Sequence, residues 1–105
     1  MTGLVEVVEV PELRRFELRV DGERAGFAEY VLKGDRILFV HTEIDPRHEG
    51  KGYGSILARG ALDAARERGQ PVVPLCPFIA EWIERHPEYD DLVDHELLER
   101  IERRR

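Results

Sequence analysis

The segment RHEGKGYG, residues 47–54, carries the most structural information in this chain. Glycine occupies alternate positions in it, at Gly50, Gly52 and Gly54, and residues without a side chain let the backbone come close to a ligand. The flanking patterns place a strand before the segment and a helix after it, so the positive end of the helix dipole lies beside the glycines. The segment therefore predicts a site for a diphosphate, although the same glycines also suit a turn that binds no ligand.

Two common phosphate-binding motifs do not fit this segment. A Walker loop requires Gly-x-x-x-x-Gly-Lys followed by Ser or Thr, and the run Gly50-Lys51-Gly52 does not supply it. The dinucleotide fingerprint Gly-x-Gly-x-x-Gly would need a glycine at Ser55, and it follows the first strand of a parallel sheet. The segment does fit a third motif, Arg/Gln-x-x-Gly-x-Gly/Ala, which starts at Arg47 and places its glycines at Gly50 and Gly52.

The sequence before the loop predicts three antiparallel strands. Apolar and polar residues alternate over 16–20, which is the period of a half-buried strand. Asp21-Gly22 then marks a hairpin turn, and the returning strand is predicted over 27–31. A second turn leads into a third strand over 36–44, which is rich in β-branched and aromatic residues.

The sequence after the loop predicts a crossover. Small and apolar residues recur at helical spacing over 55–68, and Gly69 is a suitable helix stop. The apolar run over 71–75 predicts a buried strand that follows this helix, which makes a β-α-β unit. The fold class is therefore α+β: an antiparallel meander followed by a β-α-β crossover, with a central mixed sheet.

The remaining residues complete a single domain over 1–105. Pro77 suits the first position of a helix over 77–86, and Cys76 is the predicted N-cap residue. We predict a short last strand at Leu92-Val93, a terminal helix over 95–103 and a frayed charged tail at 103–105.

The composition excludes several functional classes. The net charge is −6, so no basic surface for nucleic acid is expected. The acidic balance could attract a cationic amine, or it could serve only solubility. The one cysteine permits no intramolecular disulfide, which suits a reducing cytosol. No apolar run approaches the length of a membrane span and no signal peptide is recognisable, so a cytoplasmic protein without membrane contact is expected.

The loop resembles a known family when it is taken with two further motifs, Pro74-Leu75-Cys76-Pro77 and Arg85-His86-Pro87-Glu88-Tyr89. Together they are similar to the GNAT superfamily, the GCN5-related N-acetyltransferases, and within it to a short group of about a hundred residues. The resemblance covers roughly residues 13 to 93. It implies that backbone amides of the loop bind the pyrophosphate of acetyl-CoA, and that an acetyl group passes to an amine of a peptide, a protein or a small molecule.

The resemblance also implies which residues contact the cofactor, and it implies no metal. The expected cofactor-binding residues are Thr42, Ile44, Arg47, His48, Glu49, Gly50, Lys51, Gly52, Tyr53, Gly54, Ser55 and Cys76.

Three residues are candidates for catalysis. Alternation on the third strand places His41 on one face with Ile37, Phe39 and Glu43, and a neutral imidazole there could take a proton from an ammonium group. Glu43 is the alternative base, acting through a water. Cys76 at a helix N-terminus could accept the acetyl group, could serve as the acid that protonates the leaving thiolate, or could simply line the thioester pocket.

Two departures from the resemblance leave a second function open. The tyrosine that commonly protonates the leaving thiolate is not obvious, because Tyr89 lies beyond Pro87. The chain is also short between its first strands, where larger members insert helices that build the acceptor site. The alternative to an acetyltransferase is therefore a non-catalytic coenzyme A-binding sensor or interaction module.

Overall fold

A computed structural model of the chain describes residues 3–104. One sheet of five strands forms its centre, with the strands in sequence order from edge to edge. Four strands form an antiparallel meander and the fifth runs parallel to the fourth. The bounds are β1 Val5–Val10, β2 Arg15–Val20, β3 Glu23–Lys33, β4 Arg36–Ile44 and β5 Val72–Pro74.

The helices follow the order that the sequence predicts. Helix α1, Tyr53–Arg68, crosses over between β4 and β5, and helix α2, Pro77–Arg85, begins directly after Cys76. Helix α3, His95–Arg103, is the last element described. Short 3₁₀ helices occupy Pro11–Leu13, Pro46–His48 and Pro87–Leu92. The predicted α+β fold with a β-α-β crossover and a mixed sheet is confirmed.

The first strand, β1, was not predicted from the sequence. Val7 of β1 packs against Gly60 of α1 so closely that a Cβ atom on Gly60 would lie 2.7 Å from the Val7 Cβ. The strand is held to β2 in antiparallel register from Val5 opposite Val20 to Val10 opposite Arg15. Its alternation is broken by the consecutive Val7 and Val8, so the periodicity alone is weak and the partner strand and helix define it.

A bulge in β4 overturns one prediction about His41. Glu29 and Tyr30 are consecutive in β3, but their partners in β4 are His41 and Phe39, so Val40 is the additional residue. A bulge residue reverses the alternation that follows it. His41 therefore does not share a face with Ile37 and Phe39, as predicted; those two are buried under the helices, and His41 is exposed on the other face.

Two further predictions are corrected near the C-terminus. Leu92 and Val93 do not form a strand: Leu92 ends a 3₁₀ helix, and Val93 makes one isolated bridge to Val72. Val93 is the single residue between the 3₁₀ helix that ends at Leu92 and Asp94, the N-cap residue of α3, so no longer strand can form there. The frayed tail was predicted to begin at residue 103, but Arg103 is the last residue of α3. Arg105 lies outside the described residues.

The helices cover the two faces of the sheet unequally. Helices α1 and α2 pack on the face that carries Phe39, and the core there includes Leu57, Ile79 and Trp82. On the other face, α3 places Leu97 against Leu38 and Val73, at the β4–β5 edge. The part of that face formed by β2, β3 and the end of β4 has no helix of the described residues over it, which leaves Phe27 and His41 accessible.

A buried phenol links the edge strand to the crossover helix. The Tyr30 hydroxyl donates to Glu9 of β1, and Arg68 of α1 donates to the same carboxylate. Burial, followed by the Glu9 carboxylate, raises the pKa of Tyr30 to about 12, and Arg68 lowers the pKa of Glu9. These contacts join β1, β3 and α1 on one side of the core.

We expect Tyr30→Phe to lower the free energy of unfolding by about 1–2 kcal/mol at neutral pH, because Glu9 loses a buried donor. The neutral phenol is favoured in the folded state, so its contribution is complete below pH 10.0 and is lost as the pH rises through about 12. Denaturant unfolding across that range should show a steeper decline for the wild type than for Tyr30→Phe. Equal declines would contradict the assignment.

Candidate functional site

A cleft opens where β4 and β5 separate. Their parallel pairing ends at Phe39 opposite Pro74. The Phe39 carbonyl accepts hydrogen bonds from the N–H groups of both Leu75 and Cys76, at 3.0 and 2.9 Å, so the chain leaves the sheet at that point. β4 continues to Ile44, whereas α2 begins at Pro77. The part of β4 beyond the bulge therefore has no strand of the described residues beside it on the β5 side.

The backbone of β4 faces this cleft at two positions. Asp45 donates its N–H to the Ala25 carbonyl of β3, at 2.7 Å. Since successive N–H groups of a strand point to opposite sides, the N–H groups of Ile44 and Thr42 point away from β3, into the cleft. Backbone donors are therefore available in the cleft at Thr42 and Ile44, two of the residues predicted to bind the cofactor.

A groove of about 340 Å³ connects the end of β4 to the glycine loop. It brings together eight of the residues predicted to bind a cofactor, and it adds Phe78 of α2. The lining residues are Thr42, Ile44, His48, Glu49, Gly50, Gly52, Tyr53, Gly54 and Phe78. The predicted residues Arg47, Lys51, Ser55 and Cys76 do not line it.

The free backbone amides of the loop begin at residue 50, and not at residue 47 as predicted. The N–H groups of Arg47, His48 and Glu49 are engaged within the 3₁₀ turn, on Asp45 Oδ1, the Asp45 carbonyl and the Pro46 carbonyl. The next six N–H groups, over 50–55, donate to no other described residue. The last three belong to the first turn of α1, where a helix leaves its N–H groups without partners. The cradle predicted over 47–54 is thus a run of amides over 50–55.

Glycine is required at the three positions for two different structural reasons. Gly50 and Gly52 have φ values of +81° and +76°, which favour glycine, and a Cβ on either would meet nothing within 4 Å. Gly54 is required by packing, because its Cβ would lie 2.6 Å from Cζ of Phe78. Only the first two glycines therefore leave open space beside the free amides.

The side chains around the loop differ in whether they are free to bind an anion. Arg47 is bound to Asp45, with Nη2 and Oδ2 2.9 Å apart, and this contact lowers the pKa of Asp45 to about 2. Lys51 is exposed and makes no ion pair among the described residues. The Ser55 hydroxyl accepts from the Trp82 indole N–H at 2.8 Å, so it has a structural partner. Backbone groups therefore dominate the site.

His48 provides an additional test of whether a phosphate group fits. Its Nδ1 atom is buried and has no hydrogen-bond partner among the described residues, and its ring lies 5.6 Å from the Tyr53 ring, centroid to centroid. A buried polar atom without a partner is unfavourable unless a ligand or water satisfies it. The open space beside Gly50 and Gly52, the free amides and this nitrogen all fit a phosphate.

Cys76 lies at the inner end of the cleft. It is the N-cap residue of α2, as predicted, and is 4% exposed. Its Sγ atom lies 3.3 Å from the Thr42 hydroxyl of β4, to which it donates. This contact depends on the β4 bulge, which turns the Thr42 side chain to the face that α2 covers.

His41 and Glu43 lie on the opposite face of β4. Their side chains are 53% and 59% exposed, and His41 Nε2 is 3.7 Å from Glu43 Oε2. The His41 ring lies 6.0 Å from the Phe27 ring, between centroids. The structure therefore brings His41 and Glu43 together but separates both from Cys76 by the thickness of the strand.

The Tyr89 side chain has a structural role in the core. It is buried, its hydroxyl donates to Asp63 Oδ1 at 2.7 Å, and Arg59 donates to it at 3.2 Å. Burial, followed by the Asp63 carboxylate, raises its pKa. It lines neither the cleft nor the groove, so it joins α1 to the segment after α2.

The fold is an α+β domain with a cleft between a bulged strand and its parallel neighbour, and a groove beside the glycine loop. Residues 15–92 match the family described as GCN5-related N-acetyl-transferase, and the chain belongs to this family. A streptothricin acetyltransferase from Streptomyces lavendulae is 47% identical over 51 residues, which are 47% of this chain and 27% of that protein. The chain thus spans just over a quarter of that relative's length.

The described residues offer neither a metal cluster nor a membrane-spanning helix. Within 3–104, no three His, Cys, Asp or Glu side chains are grouped so that they could hold a metal ion. None of the helices in the same range is both long enough and apolar enough to cross a lipid bilayer.

Proposed function

We propose that this chain is an acetyl-CoA-dependent N-acetyltransferase that acts on an amine. The observation that carries the proposal is the run of six free backbone N–H groups over 50–55, at the N-terminus of α1 and beside a groove. Such a site favours a diphosphate through direct hydrogen bonds and the helix dipole. Family membership and the acetyltransferase from Streptomyces lavendulae support the same conclusion.

The chain's own residues would have separate tasks around the β4 strand. The amides over 50–55 would hold the pyrophosphate, with His48 beside them. The N–H groups of Thr42 and Ile44 would donate to the carbonyl oxygen of the thioester, where negative charge develops. When bound, acetyl-CoA supplies an acetyl group activated as a thioester.

Proton transfers would take place on the two faces of β4. On the exposed face, His41 would take a proton from the amine, with Glu43 as the alternative acceptor. On the buried face, the Cys76 thiol beside Thr42 would donate a proton to the departing sulfur, in place of a tyrosine.

This arrangement favours direct transfer over an acetylated cysteine. A nucleophilic thiol is activated by a base within hydrogen-bond reach or by its place at a helix N-terminus. Cys76 has the second but not the first, because its buried Sγ atom donates to the Thr42 hydroxyl and does not contact His41. We expect the intact mass of the protein to stay unchanged after mixing with acetyl-CoA without an amine. A gain of one acetyl group that is absent in Cys76→Ala would contradict direct transfer.

The diphosphate cradle is tested with a matched pair of ligands. We expect acetyl-CoA to bind measurably in a calorimetric titration, and S-acetylpantetheine, which has the same thioester but lacks the pyrophosphate and the 3′-phosphoadenosine attached to it, to bind at least about a hundredfold more weakly. Turnover with a panel of primary amines would then establish catalysis. Equal affinity for the two thioesters would refute the cradle.

A non-catalytic coenzyme A-binding module is the second candidate. The observation that favours it is the engagement of the Tyr89 hydroxyl by Asp63, which removes the expected acid from the cleft. Tight binding of acetyl-CoA without acetylation of any amine would establish this function instead.

A further inference from the structure

A second and larger groove lies on the part of the sheet that the helices leave open. Its volume is about 560 Å³, within the range of about 300–1,000 Å³ that is typical of ligand sites. The strands β3 and β4 form its floor, and the turn after β4 forms one wall. The lining residues are Arg24, Ala25, Gly26, Phe27, Thr42, Glu43, Ile44, Asp45, Pro46 and Glu49.

This groove adjoins both parts of the candidate site. It shares Thr42, Ile44 and Glu49 with the phosphate groove, so the end of β4 is a common wall. It also contains Phe27 and Glu43, which are the two neighbours of His41. A molecule in the larger groove would therefore lie beside the candidate base and across β4 from the thioester cleft.

The charged side chains of the groove are not balanced. It is lined by three carboxylates and one guanidinium. Asp45 is already paired with Arg47, whereas Glu49 makes no ion pair among the described residues and Glu43 has only His41. The guanidinium of Arg24 lies over the Phe27 ring, 5.4 Å from its centroid. Two carboxylates on different walls, Glu43 and Glu49, thus have no Lys or Arg partner within 3–104.

We propose that this groove binds the acceptor, and that the acceptor is a primary amine whose alkyl chain carries a second positive charge. This inference rests on the proposed function and adds the class of substrate. Glu43 lies next to the candidate base and attracts the reacting ammonium group, and Glu49 attracts the second cation. A small diamine has this chemistry, whereas a lysine side chain within a peptide carries only one positive charge.

The experiment compares 1,5-diaminopentane with 1-aminopentane, which has the same carbon chain and one charge. Both are titrated calorimetrically into the full chain saturated with coenzyme A, in which no transfer can occur. We expect the diamine to bind about fivefold more tightly at low salt, with the preference falling as salt is added. Glu49→Gln should remove the preference, and Glu43→Gln should weaken the binding of both amines.

Glu84→Gln is the matched control, because Glu84 is an exposed carboxylate of α2 that lines neither groove. It should retain the wild-type preference. Equal affinity of the wild type for both amines, or an unchanged preference in Glu49→Gln, would overturn the inference. If acetyl-CoA itself does not bind, the proposed function fails. The amine titrations are then repeated on the ligand-free chain, where equal affinity for both amines, or an unchanged preference in Glu49→Gln, would still overturn amine binding by the groove. Binding of a lysine peptide without binding of the diamine would also contradict the inference that the groove recognises a second positive charge.

Discussion

Gly52→Val is expected to lower the affinity for acetyl-CoA by about a hundredfold, since a β-branched residue is strained in the left-handed backbone region. Gly52 has a φ of +76° and is the N-cap residue of α1. Relief of the strain would rotate the peptide groups on both sides of it, and these carry the free amides of the cradle. Calorimetric titration with acetyl-CoA measures the effect directly.

Gly34→Val is the control for Gly52→Val. Gly34 lies in the turn between β3 and β4 and has a φ of +62°, and a Cβ atom on it, as on Gly52, would meet nothing within 4 Å. Both variants should therefore lose similar stability, by about 1–3 kcal/mol, but only Gly52→Val should lose the ligand. Comparable affinities for acetyl-CoA in the two variants would show that the cradle does not bind it.

His41→Ala is expected to lower kcat by about a hundredfold, the usual contribution of a general base, while the dissociation constant of acetyl-CoA stays the same. The separation follows from the fold, because His41 lies on the exposed face of β4 and does not line the phosphate groove. Single-turnover rates and a calorimetric titration measure the two effects independently.

His95→Ala is the matched control for this substitution. His95 is also exposed and also has a carboxylate neighbour, with its Nε2 atom 3.1 Å from Asp90 Oδ1, but it belongs to α3. It should leave kcat unchanged. If His41→Ala keeps its rate and Glu43→Gln loses it, the base is Glu43 and the assignment of His41 is wrong.

The β4 bulge explains how one strand can serve both partners of a transfer reaction. The additional residue Val40 turns Thr42 toward Cys76 and leaves His41 and Glu43 on the open face. The same strand then separates a buried thiol from an exposed imidazole. In the proposed mechanism, this distribution over two faces favours direct transfer, with His41 taking up a proton on one face and Cys76 donating one on the other.

The local signals in the sequence were reliable where structure depends on neighbouring residues. The turn at Asp21-Gly22, the helix stop at Gly69 and the N-cap position of Cys76 all lie where they were predicted. The signals failed where a partner decides the outcome. β1 is defined by β2 and by the contact with Gly60, and Val93 makes a single bridge because it lies between the 3₁₀ helix that ends at Leu92 and the N-cap residue of α3.

Sequence patterns alone predicted the order of elements from β2 to α2, the glycine loop between a strand and a helix, and the family to which the chain belongs. These depend on spacing over a few residues, and glycine and proline fix backbone geometry locally. The folded structure was needed to show which face His41 occupies and that Gly54 is required by its packing against Phe78. Each of these depends on how hydrogen bonds are shared between segments distant in the chain or on close packing, and no local pattern records them.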